Sequence, residues 1–292
     1  MKSTARLTVC RLLYGRYRMF GAIFGDIIGS YYELHCTKEY DFPLRKECTF
    51  TDDSVMTAAV SKAILLNGCP INKHQLKQRA KEFAVQYKQF YSYFPNAGYG
   101  YLFNKWASAV KNMRIQRSYG NGAAMRAVPI GYAYESIEQV LLQAKASCLY
   151  THNCREAIRG AQAVACAVFL AAHNSSKESI KNFICEKFRY DLSSSVDDIR
   201  PYYSFDSSTS YSVPPAITAF LDSSDYESAV RNAVSLGGDA DTMACIAGGI
   251  AEAFYGDIPE HIKNFCYGKL DYTIKSNAAE FCQKYKISLY KN

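Results

Sequence analysis

Residues 242–255, TMACIAGGIAEAFY, are almost wholly apolar and mostly small. A run of that kind reads as a helix buried on every side. Gly248 and Gly249 inside it each cost about 1 kcal/mol of helix propensity, which only close contact with another helix offsets. Such a helix needs a shell of others, and the chain supplies them. Apolar residues recur at helical spacing over 54–66, 74–91, 137–149, 154–173, 177–188 and 226–234. Asn67 and Gly68 stop the first of these, and the turn 95–98 follows the second. No stretch alternates with period two between hairpin turns. The expected fold is therefore all-α. Residues 21–33, GAIFGDIIGSYYE, carry Gly21, Gly25 and Gly29 at four-residue spacing, with Glu33 at the end. That spacing predicts a helix packed tightly on a neighbour. Residues 192–212, rich in Ser and Tyr, read as a long loop.

At 292 residues and 49% hydrophobic content, the chain can bury a sizeable core. No linker or repeat divides it, so 19–292 is expected to form one domain. Of the net charge of +7, Lys2, Arg6, Arg11, Arg16 and Arg18 supply five positive charges in an acid-free arm, leaving +2 for the body. A nearly neutral body does not indicate a nucleic-acid surface. The arm 1–18 has three readings: an extension ahead of a start at Met19, an Arg-rich transit peptide, or a functional basic arm. No run of 18 apolar residues suggests a membrane span. Eleven cysteines without CxxC spacing point to a reducing compartment and buried thiols, not to a disulfide framework or thiolate zinc site. A cytoplasmic monomer is expected.

Two acidic clusters carry the chemistry. Thr51, Asp52 and Asp53 stand at the start of the helix over 54–66. Gly237 and Gly238 precede Asp239, Ala240, Asp241 and Thr242 at the start of the helix over 242–255. Alone, each is an ordinary helix cap. Together they repeat one grammar: two acids and a Thr opening an apolar helix. Carboxylates and hydroxyls without His or Cys are hard oxygen ligands that suit Mg²⁺ or Mn²⁺. Four facing carboxylates would repel one another, and two cations about 3.5–4 Å apart would resolve the repulsion and polarise water. The loop at Gly120, Asn121 and Gly122 opens a further helix, and its amides could cradle a phosphate; a plain turn is the ordinary alternative.

The ordered set GDIIGSYYE, FTDDSVMT, SYGNGAAMR, Thr151-His152, SVPPAI and SLGGDADTMACIAGGI resembles the ADP-ribosylglycohydrolase family across residues 21 to about 255. The resemblance implies a compact orthogonal bundle of α-helices around a central cleft holding two divalent cations, Mg²⁺ or Mn²⁺. It implies Thr51, Asp52, Asp53, Asp239, Asp241 and Thr242 as metal ligands. Glu33 or Asp53 would be the catalytic acid or base. Ser118, Tyr119, Gly120, Asn121, Gly122 and His152 would contact substrate, with Ser212, Val213 and Pro214 near its adenosine end. Tyr119 is the best placed of the 24 tyrosines to stack on adenine. The implied activity is hydrolysis of the N- or O-glycosidic bond between ADP-ribose and a protein side chain or small molecule. The alternatives are a catalytically silent ADP-ribose-binding protein of the same fold and a different dinuclear hydrolase, such as a nucleotide phosphatase. A satisfied structural histidine is the ordinary reading of His152.

Overall fold

The chain is described from a computed structural model covering residues 19–109, 111 and 113–285; the arm 1–18 lies outside them. Each segment marked as helical by its spacing is a helix, with no end moved by more than two residues. In chain order the helices are α1 (Phe20–Leu34), α2 (Asp52–Asn67), α3 (Leu76–Tyr93), α4 (Tyr101–Ser108), α5 (Gly122–Met125), α6 (Val128–Ala133), α7 (Ile137–Cys148), α8 (Arg155–Ala172), α9 (Lys177–Phe188), α10 (Val196–Ile199), α11 (Thr209–Leu221), α12 (Tyr226–Ser235), α13 (Ala240–Tyr255), α14 (Glu260–Tyr267) and α15 (Tyr272–Lys284). Among the described residues there is no β-strand, only two isolated bridges, Arg117 with His152 and Gly120 with Ser208. No helix is long and apolar enough to cross a membrane. The described cysteines are free, and six of them are buried.

α13 is the central helix, buried from Ala240 through Ala253 and packed against α1, α12, α11 and α8. Its most extensive partner is α1. The reason is visible in the glycines. A Cβ at Gly21 would lie 2.5 Å from the Gly248 carbonyl oxygen, one at Gly25 2.1 Å from that of Ala244, and one at Gly29 2.4 Å from that of Ala240. Residues at four-residue spacing on α1 thus meet carbonyls at four-residue spacing on α13, and only hydrogen atoms fit between the two backbones. The start of α1 is closed by Glu252 from the far end of α13. The amides of Gly21 and Phe20 donate to its two carboxylate oxygens at 2.8 and 3.2 Å, meeting two donors that a helix start leaves unpaired.

The loop expected over 192–212 contains structure. α10 lies within it and α11 begins at Thr209. Pro214 and Pro215 sit inside α11, where proline removes an amide and frees a carbonyl one turn back. The Tyr211 carbonyl freed by Pro215 accepts the Tyr203 hydroxyl at 2.9 Å. The proline pair hides the helix in the sequence, and a tyrosine from outside it repairs the missing bond.

Candidate functional site

Both acidic clusters are helix starts, and the fold brings them together. Thr51 caps α2 in an extended conformation, its Oγ1 accepting the Asp53 amide at 3.3 Å. Beneath it lies Asp26 of α1, fully buried. The Thr51 hydroxyl and amide donate to Asp26 at 2.7 and 3.0 Å, and the Ser54 amide at 3.1 Å. The Ser54 hydroxyl donates as well. With its hydrogen given to Asp26 and one lone pair given to the Asp53 amide, Thr51 Oγ1 keeps a lone pair for a cation. Asp26 was not singled out in the sequence. Its signal was there: one carboxylate inside an apolar helix, which is costly to bury without donors.

The second cluster is set by a squeezed turn. Gly237 has φ +67°, and a Cβ there would lie 2.7 Å from Cys36 Sγ; one at Gly238 would lie 2.3 Å from the Tyr203 ring. Lys38 holds both neighbours, donating to the Tyr203 carbonyl at 2.6 Å and to that of Leu236. The turn delivers Asp239, Asp241 and Thr242, all buried, against Asp53. The Thr242 hydroxyl donates to Asp53 Oδ2 at 3.3 Å, and Asn121 Nδ2 donates to Asp239 Oδ2 at 2.8 Å.

Two groups of carboxylates form, with ligand atoms within 4.8 Å of one another: Asp26, Asp53 and Asp241, and Glu33, Asp239 and Asp241. Asp241 belongs to both. Among the described residues, none of these carboxylates has an ion-pair partner. Burial, then the neighbouring aspartates, pushes Asp53 and Asp241 well above the ordinary carboxylate range. The same causes hold Asp52 up at about 8, and burial followed by Asp239 raises Glu33. Burial raises Asp26 only to about 6, because four hydrogen bonds oppose it. Those bonds occupy Asp26, so it is better read as holding Thr51 and Ser54 than as a ligand. Asp52 falls in neither group; its Oδ1 lies beside Gly98. The fit to hard cations rests on one further atom: Asp53 Oδ1 is buried and accepts no hydrogen bond. An unmatched buried carboxylate oxygen costs more than a neutral group would, and a cation would match it.

Apart from Asp26, these carboxylates line a cavity of about 450 Å³ that continues past Gly98 and Phe103 to Ser118, Gly120, Asn121, Gly122 and His152. The loop 118–122 offers fewer amides than its sequence suggested. It pairs with the 207–209 segment: the Asn121 amide donates to the Ser207 carbonyl at 2.8 Å, and that of Gly120 to Ser118 Oγ at 3.1 Å. Tyr119 is 62% exposed and stands outside the cavity wall. Ser212 lies behind the loop, accepting from Asn121 Nδ2 at 3.0 Å. Val213 and Pro214 are likewise outside the wall. His152 is buried, and burial together with the nearby Arg126 holds it well below the usual imidazole range. Gln116, not singled out in the sequence, lines the same end, with its Oε1 buried and unpartnered.

The sequence profile of the ADP-ribosylglycohydrolase family matches residues 16–286. ADP-ribosylhydrolase ARH3 of Homo sapiens is 29% identical over 85% of this chain and 87% of its own length. Its Xenopus tropicalis counterpart is 26% identical over 83% and 87%. A solved structure described as an ADP-ribosylglycohydrolase-related protein complex has the same fold, with a TM-score of 0.66 at 21% identity over 90% of this chain and 96% of its own.

Proposed function

Since the chain belongs to the ADP-ribosylglycohydrolase family, and is a glycohydrolase by that membership, we propose that it is a metal-dependent enzyme cleaving the N- or O-glycosidic bond between ADP-ribose and an acceptor. The acceptor is a protein side chain or a small molecule. The observation that carries metal dependence is the pair of carboxylate groups sharing Asp241, with Asp53 Oδ1 of the first group left unmatched. Thr51, Asp52, Asp53, Asp239, Asp241 and Thr242 would hold two Mg²⁺ or Mn²⁺ ions. Bound there, the cations supply a grip on the vicinal ribose hydroxyls and a lowered pKa for water.

The chain's own residues do the rest. Glu33 sits at the edge of the carboxylate cluster with its proton affinity raised by burial and Asp239. A carboxyl tuned upward can take a proton from water or give one to a leaving group near neutral pH. Asp53 is the other candidate for that role. His152 and the loop 118–122 face the opposite end, where the diphosphate would extend.

ADP-ribosyl-arginine, ADP-ribosyl-serine, poly(ADP-ribose) and O-acetyl-ADP-ribose, each with Mg²⁺ and with Mn²⁺, form the test. Release of ADP-ribose from at least one is expected, and a chelator should abolish it. Release from none, with ADP-ribose still bound tightly, would favour the silent binding protein. Asp26→Asn is expected to weaken Mn²⁺ binding roughly 10–100-fold, read by electron paramagnetic resonance of the free ion, because an amide cannot accept all four donors. Unaltered Mn²⁺ affinity would remove Asp26 from the site.

A further inference from the structure

Behind His152 runs a short chain of buried groups. The Arg126 guanidinium lies 4.1 Å over the Tyr87 ring and is only 1% exposed. Its Nη2 donates to the Ser147 carbonyl at 3.1 Å and to Thr151 Oγ1 at 2.7 Å. Thr151 Oγ1 in turn lies 2.8 Å from His152 Nδ1. Thr151 and His152 are 1% and 5% exposed, and among the described residues Thr151 Oγ1 has no side-chain partner besides Arg126 and His152.

The proton count has one solution. Arginine only donates, so Thr151 Oγ1 accepts from it. If the imidazole also donated through Nδ1, the buried hydroxyl hydrogen would have no acceptor, at a cost of about 1–3 kcal/mol. Arg126 Nη2, Thr151 Oγ1 and His152 Nδ1 are all met only when the hydroxyl donates to an unprotonated Nδ1; Arg126 Nε stays buried without a partner. A neutral imidazole then carries its hydrogen on Nε2. Burial and the Arg126 charge both favour the neutral ring. Nε2 points at the glycine loop: a Cβ at Gly122 would lie 3.3 Å from it, and one at Gly120 3.9 Å.

We propose that Arg126 and Thr151 are positioning residues that lock His152 as its Nε2–H tautomer, making it a fixed hydrogen-bond donor to an anionic oxygen of the ligand over the loop 120–122. The ligand being a diphosphate rests on the function proposed above; the tautomer does not. Locked this way, His152 contributes no general base.

The test is ¹⁵N NMR of histidine-labelled full chain without ligand, with the His152 signals identified by their loss in His152→Gln. Wild type should show a protonated Nε2 and an unprotonated Nδ1. Thr151→Val should lose that fixed pattern and raise KM for the ADP-ribosyl substrate about five- to tenfold, the size of one hydrogen bond, with kcat little changed. Thr151→Ser should restore both. A protonated Nδ1 in wild type, or an unaltered ring spectrum in Thr151→Val, would overturn the proposal. The wild-type spectrum decides even where the valine variant does not fold. It is read without substrate, so failure to hydrolyse any ADP-ribosyl compound would strike the proposed function and leave the tautomer standing.

Discussion

In Asp241→Asn, release of ADP-ribose is expected to fall about a hundredfold or more, while the cation-free variant melts at a higher temperature than cation-free wild type. Both effects come from one position. Asp241 belongs to both carboxylate groups, so replacing it with an amide removes one oxygen ligand atom and takes the negative charge from both candidate ion positions. Cation contributions of several kcal/mol to a transition state convert to losses of this order. Without cations, the same carboxylate is buried among Asp239, Asp53 and Glu33, each of which opposes its charge. Replacing it with a neutral amide of equal size relieves that repulsion. Each kcal/mol regained moves Tm by about 2–4 °C in a chain of this size.

The sign with pH is opposite to ordinary acid denaturation. Asp52 and Asp26 have folded pKa values of about 8 and about 6, above the ordinary 3.8. Each binds its proton more tightly when folded, so its stabilisation is full below 3.8 and is lost as pH climbs through the folded values. Cation-free wild type should therefore melt lower at about pH 8 than at about pH 6, with the difference reduced in Asp241→Asn and removed by saturating Mn²⁺. Differential scanning fluorimetry with and without a chelator reads all of this. An Asp241→Asn protein that keeps wild-type turnover, or that melts lower than wild type when cation-free, would refute the shared site.

The second large effect is on folding. Gly25→Val is expected to destabilise by roughly 3 kcal/mol or more, a large part of the ~5–15 kcal/mol that holds a typical domain together. Replacing a helical glycine ordinarily gains up to about 1 kcal/mol of propensity, so the packing term has to exceed that gain. It does so because the obstacle is backbone. The added Cβ would meet the Ala244 carbonyl oxygen at 2.1 Å and its carbon at 2.5 Å, and neither can swing aside. α1 would have to lift from α13, drawing Asp26 away from Thr51 and Ser54. Gly100→Ala is the control, since a Cβ there meets nothing within 4 Å; its unfolding free energy should stay within about 0.5 kcal/mol of wild type. Equal stability of the two variants, measured by urea unfolding, would contradict the close packing.

What could be read in advance follows from where the signal lies. That α1 and α13 each pack tightly on a neighbour was legible because glycines spaced this way have few other uses in an apolar helix; that they pack on each other was not. The two acidic clusters were legible because carboxylates and hydroxyls advertise their chemistry in their side chains. α11 was not, since Pro214 and Pro215 read as breakers and the repairing Tyr203 hydroxyl comes from outside the helix. Asp26 and Gln116 were missed because their roles depend on partners distant in sequence or on what a cavity wall exposes. The amides of the loop 118–122 were over-read for the same reason: the Asn121 amide is taken by the Ser207 carbonyl and that of Ser118 by the Thr151 carbonyl, pairings that leave no mark in the segments concerned.

The squeezed turn at Gly237 and Gly238 also fixes when the site can exist. One set of oxygens lies in residues 33–53 and the other in 239–242, far apart along the polypeptide. During synthesis on the ribosome, the early half waits, folded or not, through α12 before its counterpart emerges. On the proposed two-cation site, a cation is therefore expected to bridge the two sets only after Asp239 has emerged, and a fragment ending before Asp239 is expected to release no ADP-ribose. Premature termination or proteolytic loss of the last third is then expected to abolish release of ADP-ribose outright instead of leaving a partly active enzyme.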